Sequence, residues 1–319
     1  MERKKTAAIF PAFGCRYLGS EKEILNSMSG DLRELLSRAE AAVDFDRVEF
    51  ERRDSGDFED ELQSQYAAYI ISCALSNILK RSGIRIDYAA GYSMGLYAAL
   101  FHAESVAFEQ GLDLITVAYE MIRSAATGID FGTGVISGLD NGDIRSIVSR
   151  RKDLEIINVN NRHSFLIAGF SSSVTRALKT AKKMGALNTK FLDLKLPYHS
   201  TAMRDVSREF YGYCSGMRIY DPSCCIISTV DAREITSWED VLGDLADNIY
   251  RNINWLAAME RMVSAGVDAF VECGPGKSLY RISQFIEGGF SVYHLAMLQD
   301  LLASDRVCSH EDALDLRRA

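Results

Sequence analysis

The stretch YAAGYSMGLYAALF, residues 88–101, reads as a short apolar strand, a tight turn and a helix. Ser93 sits in the turn, with Gly91 and Gly95 two positions to either side. A G-x-S-x-G at a strand–turn–helix junction is a nucleophile elbow. The glycines allow a sharp turn without side-chain clash, so the hydroxyl projects clear. The helix start supplies backbone N–H groups to a developing oxyanion. The plainer alternative is a structural turn serine. Upstream, TAAIF (6–10) predicts a first strand, followed by the loop PAFGCRYLGS (11–20). QYAAYIISCALSNILKRSG (65–83), apolar on most faces, predicts a buried helix closed by Gly83.

Downstream the pattern changes. GTGVISGL (132–139), LEIINV (154–159), SFLIAGF (164–170) and LNTKFLDL (187–194) read as strands. Between them, NGDIRSIVSRR (141–151) reads as a helix capped by Asp140 or Asn141, and SSVTRALKTAKKMG (172–185) as one opened by serines and closed by Gly185. The order β-α-β-β-α-β is the ferredoxin-like signature. The fold class expected is therefore α/β: an α/β-hydrolase-like large domain, residues 1–129 and 195–319, with an inserted ferredoxin-like small domain, residues 130–194. A late strand, DAFVECG (268–274), returns the chain to the large domain.

The bulk numbers bound the function. The 319 residues are enough for one large domain carrying a smaller one. A net charge of −8 argues against a nucleic-acid binder. One local basic cluster, Arg176, Lys179, Lys182 and Lys183, is either a contact for an acidic partner or a solvated helix face. No apolar run reaches the roughly 18–20 residues of a membrane span, and the N-terminus reads as a strand rather than a signal peptide. Seven cysteines, an odd number with no C-x-x-C, fit reduced cytoplasmic thiols better than disulfides or a zinc site.

Three tempting motifs fail. CGPGKS (273–278) resembles the end of a phosphate-binding loop, but Val271 stands where the first glycine is required. FGTGVISG (131–138) places its third glycine one residue late for a dinucleotide fingerprint and leads into a strand. His102, alone on the helix after Ser93, reads as a packing residue.

A nucleophilic serine needs a base. Among five histidines, His199 in DLKLPYHSTAM (193–203) lies in a loop after the last strand of the small unit. Here the residues resemble a family. FPAFG, GYSMGLYAAL, LPYHS, INWLAAMERM and VECGPGKSL occur in the order found in malonyl-CoA:acyl carrier protein transacylases and the related acyltransferase domains of polyketide synthases, over about residues 7 to 285. The resemblance implies a catalytic pair in which Ser93 forms an acyl ester from a thioester and His199 is general base, then general acid. It implies an oxyanion hole from the N–H groups of Phe13 and Met94. It implies a backbone carbonyl near Asn254, where the family usually has glutamine, orienting the imidazole. Asn158 and Asn160 match family asparagines near the pantetheine path, and Tyr92, Tyr198, Arg16 and Ala118 fall around the substrate pocket. No metal or redox cofactor is implied, the substrates being carried as CoA or phosphopantetheine thioesters. Acyl carrier protein and acyl thioesters are the implied partners, in the cytoplasm, with no nucleic acid and no membrane.

Departures from the family matter as much. Tyr92 replaces the histidine before the serine, and the first loop reads Ala12-Phe13-Gly14-Cys15-Arg16. Twenty-five residues after Ser93 the family places an arginine that pairs with the malonyl carboxylate; counting without a gap gives Ala118. A charge-assisted hydrogen bond contributes roughly 1.5–3 kcal/mol, and an unpaired buried charge costs several kcal/mol. Losing the arginine therefore costs malonyl selectivity on the order of a hundredfold or more. An acyl group lacking a carboxylate is expected, and Ala118 is expected to open volume for a longer or branched chain. The alternatives are an acyl-thioester hydrolase with the same Ser–His pair, malonyl transfer with Arg16 or Arg123 as substitute cation, an α/β-hydrolase esterase using the late His294, and a non-catalytic carrier-binding protein.

Overall fold

A computed structural model describes residues 4–28, 31–53, 58–192, 194 and 196–298. The rest of the expected domain ranges, 1–3, 29–30, 54–57, 193, 195 and 299–319, lies outside the described residues. The strands in chain order are β1 (Lys5–Phe10), β2 (Tyr88–Gly91), β3 (Phe131–Ser137), β4 (Glu155–Asn161), β5 (Ser164–Phe170), β6 (Asn188–Leu192), β7 (Cys225–Ile227), β8 (Glu234–Ile235), β9 (Ile253–Asn254), β10 (Val267–Glu272) and β11 (Ser291–Tyr293).

Six of them form one sheet in the order β11-β10-β1-β2-β7-β8, parallel except for β8. Its central strands are buried on both faces, as parallel sheets require. Along β1, Ala8 and Phe10 face one apolar cluster, with the helices Glu61–Arg81 and Gly95–His102; Ala7 and Ile9 face another, around Trp255 and Met259. That alternation is the two-residue period of a strand.

The second sheet has the order β6-β3-β5-β4-β9. Its first four strands are antiparallel and carry the helices Asn141–Val148 and Ser171–Lys183, as the β-α-β-β-α-β pattern predicts. The fifth, β9, comes from outside the 130–194 segment and pairs parallel with β4, Asn158 opposite Ile253 and Val159 opposite Asn254. Asp140 is the cap of the first helix, its carboxylate accepting from Asp143 N at 2.8 Å. The second differs from expectation: Phe170 occupies the cap position and no serine side chain caps it. Arg176, Lys179, Lys182 and Lys183 are exposed on that helix, opposite its buried Val174, Ala177, Leu178 and Ala181.

The glycines of FGTGVISG are explained by packing. A Cβ on Gly132 would lie 2.6 Å from Phe191, and one on Gly134 2.9 Å from Leu178. They let the helix Ser171–Lys183 and β6 close onto β3. No helix among the described residues is long and apolar enough to cross a membrane. Replacing Gly134 by valine forces extra atoms between β3 and that helix. We expect a loss of about 1–3 kcal/mol, read as a lowered Tm in thermal denaturation.

Candidate active site

The elbow is made by backbone approach. Tyr92 N–H donates to Phe10 O at 2.9 Å, fastening the turn to the end of β1. A Cβ on Gly91 would stand 2.2 Å from Leu96 N, and one on Gly95 2.2 Å from Phe10 O. Neither position can carry a side chain while the helix Gly95–His102 sits this low on the sheet. Ser93 itself has φ of +56°, a conformation that non-glycine residues seldom adopt. The turn thus holds the hydroxyl off the strand end.

His199 meets it: Ser93 Oγ lies 2.6 Å from His199 Nε2. His199 also has positive φ, +59°, just after Pro197, and its N–H donates to Ile249 O at 3.1 Å. Burial is the larger influence on the imidazole and pushes its pKa down to about 4, while the carbonyls of Asn248 and Arg251 pull it up. These two carbonyls belong to the C-terminal end of the helix Trp238–Tyr250, where carbonyls lack partners along the helix and the dipole is negative. They face Nδ1 without closing a full hydrogen bond, a looseness common in catalytic pairs before substrate binds. No carboxylate hydrogen-bonds the ring among the described residues; Asp244, buried on the same helix, is engaged by Ser228 Oγ at 2.6 Å.

The expected orienting residue is therefore corrected. Asn254 caps the helix Trp255–Ser264, its Oδ1 accepting from Ala257 N at 3.2 Å, and its N–H donates to Thr229 O at 2.6 Å. Its side-chain oxygen and its N–H are thus engaged away from the imidazole. The carbonyl role falls instead to Asn248 and Arg251. Asn248 does more: its Nδ2 donates to Ser93 O at 3.0 Å. One helix end thus holds both members of the pair. A sequence signal existed, since Asn248 and Asp244 interrupt the buried stripe Val241, Leu242, Leu245, Ile249.

Phe13, in the β1 loop, lines the cavity with Ser93, and Met94 follows the serine directly. The β1 loop is held from behind by CGPGKS. A Cβ on Gly274 would meet Pro11 at 2.3 Å, and one on Gly276, φ +72°, would meet Arg16 O at 2.4 Å. Glu21 bridges the two loops, accepting from Gly19 N and Gly276 N, both at 2.9 Å. This motif shapes the loop that carries Phe13.

A cavity of about 160 Å³ opens on Ser93 and His199. An apolar cavity of about 150 Å³ takes a benzene-sized molecule, so the space suits a short acyl chain. Its walls come from both sheets: Ala12, Phe13, Tyr92 and Tyr198 on one side, Thr133, Ile157, Asn158 and Leu166 on the other, with Leu194 and Leu196 between. Among the described residues, no lysine or arginine lines it.

Tyr92 and Tyr198 are thus where the sequence reading put them, and three other expectations change. Ala118 is buried in the core and does not line the cavity, so it opens no room for a long or branched chain. Arg16 is exposed and outside the cavity, and Arg123 is exposed and paired with Glu120. Asn158 and Asn160 are buried beneath Tyr92: its hydroxyl donates to Asn160 Oδ1 and accepts from Asn158 Nδ2, each at 2.7 Å. Only Asn158 reaches the cavity wall. The longer Tyr92 draws both asparagines to itself.

His294 is not brought to Ser93. It follows β11, three strands from β2, and packs edge-on against Tyr280 with centroids 5.1 Å apart. Three strand spacings are about 14 Å. His102 is a packing residue, its Nδ1 2.8 Å from Ser76 Oγ, with burial pushing its pKa down to about 3. No cluster of three or more His, Cys, Asp or Glu that could hold a metal ion occurs among the described residues.

The comparisons with known proteins agree on one likeness. Over 303 residues the chain is 26% identical to the malonyl-CoA–acyl carrier protein transacylase of Staphylococcus aureus (strain MW2), covering 93% of this chain and 97% of that one. The structure of the corresponding transacylase of Coxiella burnetii matches with a TM-score of 0.85 at 24% identity, over 96% of this chain and 98% of that one. A malonyl-transacylase solved with its type II polyketide acyl carrier protein matches with a TM-score of 0.79 at 21% identity, over 93% of this chain and all of that one, 100%. At these identities the two structures speak for the fold. No family model matches the chain. The resemblance carried by the motifs extends along nearly the whole chain.

An organophosphonate probe reports on the pair directly. We expect labelling of wild type and none of Ser93→Ala. His199→Ala should slow labelling by on the order of a thousandfold, and His294→Ala should leave the rate within about twofold of wild type. Because the neutral imidazole is the active form and its pKa lies below the ordinary 6.5, the rate should stay flat as pH falls past 6.5 and drop only near 4. A midpoint near 6.5 would show the ring less buried than this geometry requires.

Proposed function

We propose that this chain, a relative of the malonyl-CoA:acyl carrier protein transacylases along nearly all of its length, is a serine acyltransferase. It moves a short acyl group without a free carboxylate between CoA and carrier-protein thioesters in fatty-acid or polyketide assembly, in the cytoplasm. The observation that carries the reading is the Ser93–His199 pair, 2.6 Å apart, opening on a cavity with no lysine or arginine among its described lining residues.

Chemistry follows from the geometry. His199 Nε2 takes the proton as Ser93 Oγ attacks the thioester carbonyl. The N–H groups of Phe13 and Met94 receive the charge that develops on oxygen. The imidazolium formed is stabilised by the carbonyls of Asn248 and Arg251, in the place of a triad carboxylate. As the carbon–sulfur bond breaks, the thiolate recovers the proton from His199, leaving acyl-Ser93. The acceptor thiol then gives its proton to His199, attacks the ester carbonyl and releases Ser93. No cofactor beyond the pantetheine arm of the substrates takes part.

Substrate class rests on charge. The relatives named above carry malonyl in their names; here the position counted for the carboxylate-binding arginine is Ala118, buried away from the cavity. A carboxylate brought into this space meets no cation among the described lining residues, and a buried carboxylate left unpaired costs several kcal/mol. Mixing the purified protein with acetyl-, butyryl- and malonyl-CoA, and reading intact mass at short times, tests the reading. We expect adducts on Ser93 from acetyl and butyryl at rates about a hundredfold above malonyl, and none in Ser93→Ala. An equally fast malonyl adduct would refute the substrate assignment. Thiol release without an adduct would show that water, not a thiol, is the acceptor.

A further inference from the structure

The loop that carries Phe13 is fastened by a thiol. Cys15 is buried in that loop, its Sγ 3.0 Å from Ala12 O and 3.2 Å from Ser278 Oγ. Gly14, with φ of +72°, turns the chain so that Cys15 reaches back three residues. A carbonyl only accepts, so the thiol proton goes to Ala12 O and Ser278 is left to donate to the sulfur. Burial pushes the thiol pKa up to about 12, so Cys15 keeps the proton it donates.

Ser278 is the last residue of CGPGKS, and it is seated by Glu272 at the end of β10. The buried Glu272 carboxylate accepts from Leu279 N at 2.9 Å and from Tyr280 N at 2.8 Å. Ser278 Oγ lies 3.4 Å from Glu272 Oε1, farther than from the sulfur of Cys15. The motif that fails as a phosphate loop thus ends in a hydroxyl placed against the thiol.

What the thiol grips is half of a peptide unit. Ala12 C=O and Phe13 N–H belong to one planar group, and no cis peptide occurs among the described residues. The two bonds point in opposite directions, so fixing the oxygen fixes the line of the N–H. We propose that Cys15 is a positioning residue: by binding Ala12 O, and backed by Ser278, it aims the Phe13 N–H that receives the oxyanion. A donor aimed in advance needs no reorganisation as the charge develops. The inference rests on the acyl-Ser93 reading with Phe13 as an oxyanion donor, and deepens it by naming what holds that donor in line.

Single-turnover acylation of Ser93 by acetyl-CoA, read by intact mass over a range of concentrations, gives a maximal rate and a half-saturating concentration. Deleting an oxyanion donor outright costs roughly 100- to 1,000-fold in rate. Cys15→Ala leaves the donor in place and releases its aim, so the maximal rate should fall by less, about tenfold. The half-saturating concentration should stay within about twofold, because the oxyanion forms only on the way to reaction. Cys15→Ser returns a donor to the same position and should recover the rate to within about threefold of wild type. A packing role for the sulfur would instead leave serine as poor as alanine. Ser278→Ala should also slow acylation, and the double variant should be no slower than Cys15→Ala alone, since the serine acts through the thiol. Should Cys15→Ala fail to fold, as judged by thermal denaturation, Ser278→Ala and its rescue by Ser278→Thr decide, an unchanged rate in Ser278→Ala counting against the inference. A maximal rate within about twofold of wild type in folded Cys15→Ala, equally slow serine and alanine variants, or losses that multiply in the double variant each overturn the inference and leave the acyltransferase reading intact. Absence of any adduct in wild type overturns the reading on which it rests.

Discussion

The helix that follows Ser93 lies so close to β1 that the carbonyl of Phe10 occupies the space a side chain on residue 95 would need. Everything at the site depends on that approach. It forces glycine at 91 and 95 and drives Ser93 to a positive φ. It also brings the β1 loop near the elbow, so Phe13 and Ser93 line the same cavity. The loop could not be left to itself, because a free loop would place Phe13 N–H loosely. Gly274 and Gly276 press on it from behind, and Glu21 ties the two segments through backbone N–H groups.

The base is organised by a different device. A buried imidazole with no carboxylate partner is costly to charge, and its pKa falls accordingly. A carboxylate in the same place would raise the pKa. Helix-end carbonyls act more weakly: they orient the ring and favour the cation only in part. The result is a ring neutral at rest that can take the serine proton. The same helix end grips Ser93 O through Asn248 Nδ2, so serine and histidine share one support. Movement of the helix Trp238–Tyr250 would shift both together and preserve their separation.

How much of this was legible in sequence follows from how local each feature is. The elbow is written in five consecutive residues, and the small unit in the alternation of strand and helix periods. The match between His199 and Ser93 was reachable because the loop is short and the family order is distinctive. Asn248 was missed, and Asn254 chosen in its place, because one ends a helix and the other caps the next across a short connection, and only the fold shows which faces the ring. Ala118 misled for a related reason. A small residue predicts a void only if its neighbours stay in place, and here it is packed into the core. What fills space is decided by all the elements around it, and no single position carries that information.

Tyr92 shows how one substitution redistributes roles. A phenol is longer than an imidazole, and here it crosses from the elbow to β4, where two buried asparagines bind it. Its ring packs edge-on to Trp255, the first residue after β9, which pairs with β4. The residue before the nucleophile thus becomes part of the joint between the two sheets. Burial holds its proton firmly, so it cannot serve as an acid or base near neutral pH. The cavity floor is then rigid and uncharged on this side. With Tyr92 fixed on one side of the pair, Tyr198 closes the other, its hydroxyl tied to Glu61 and Gln65 behind the cavity wall.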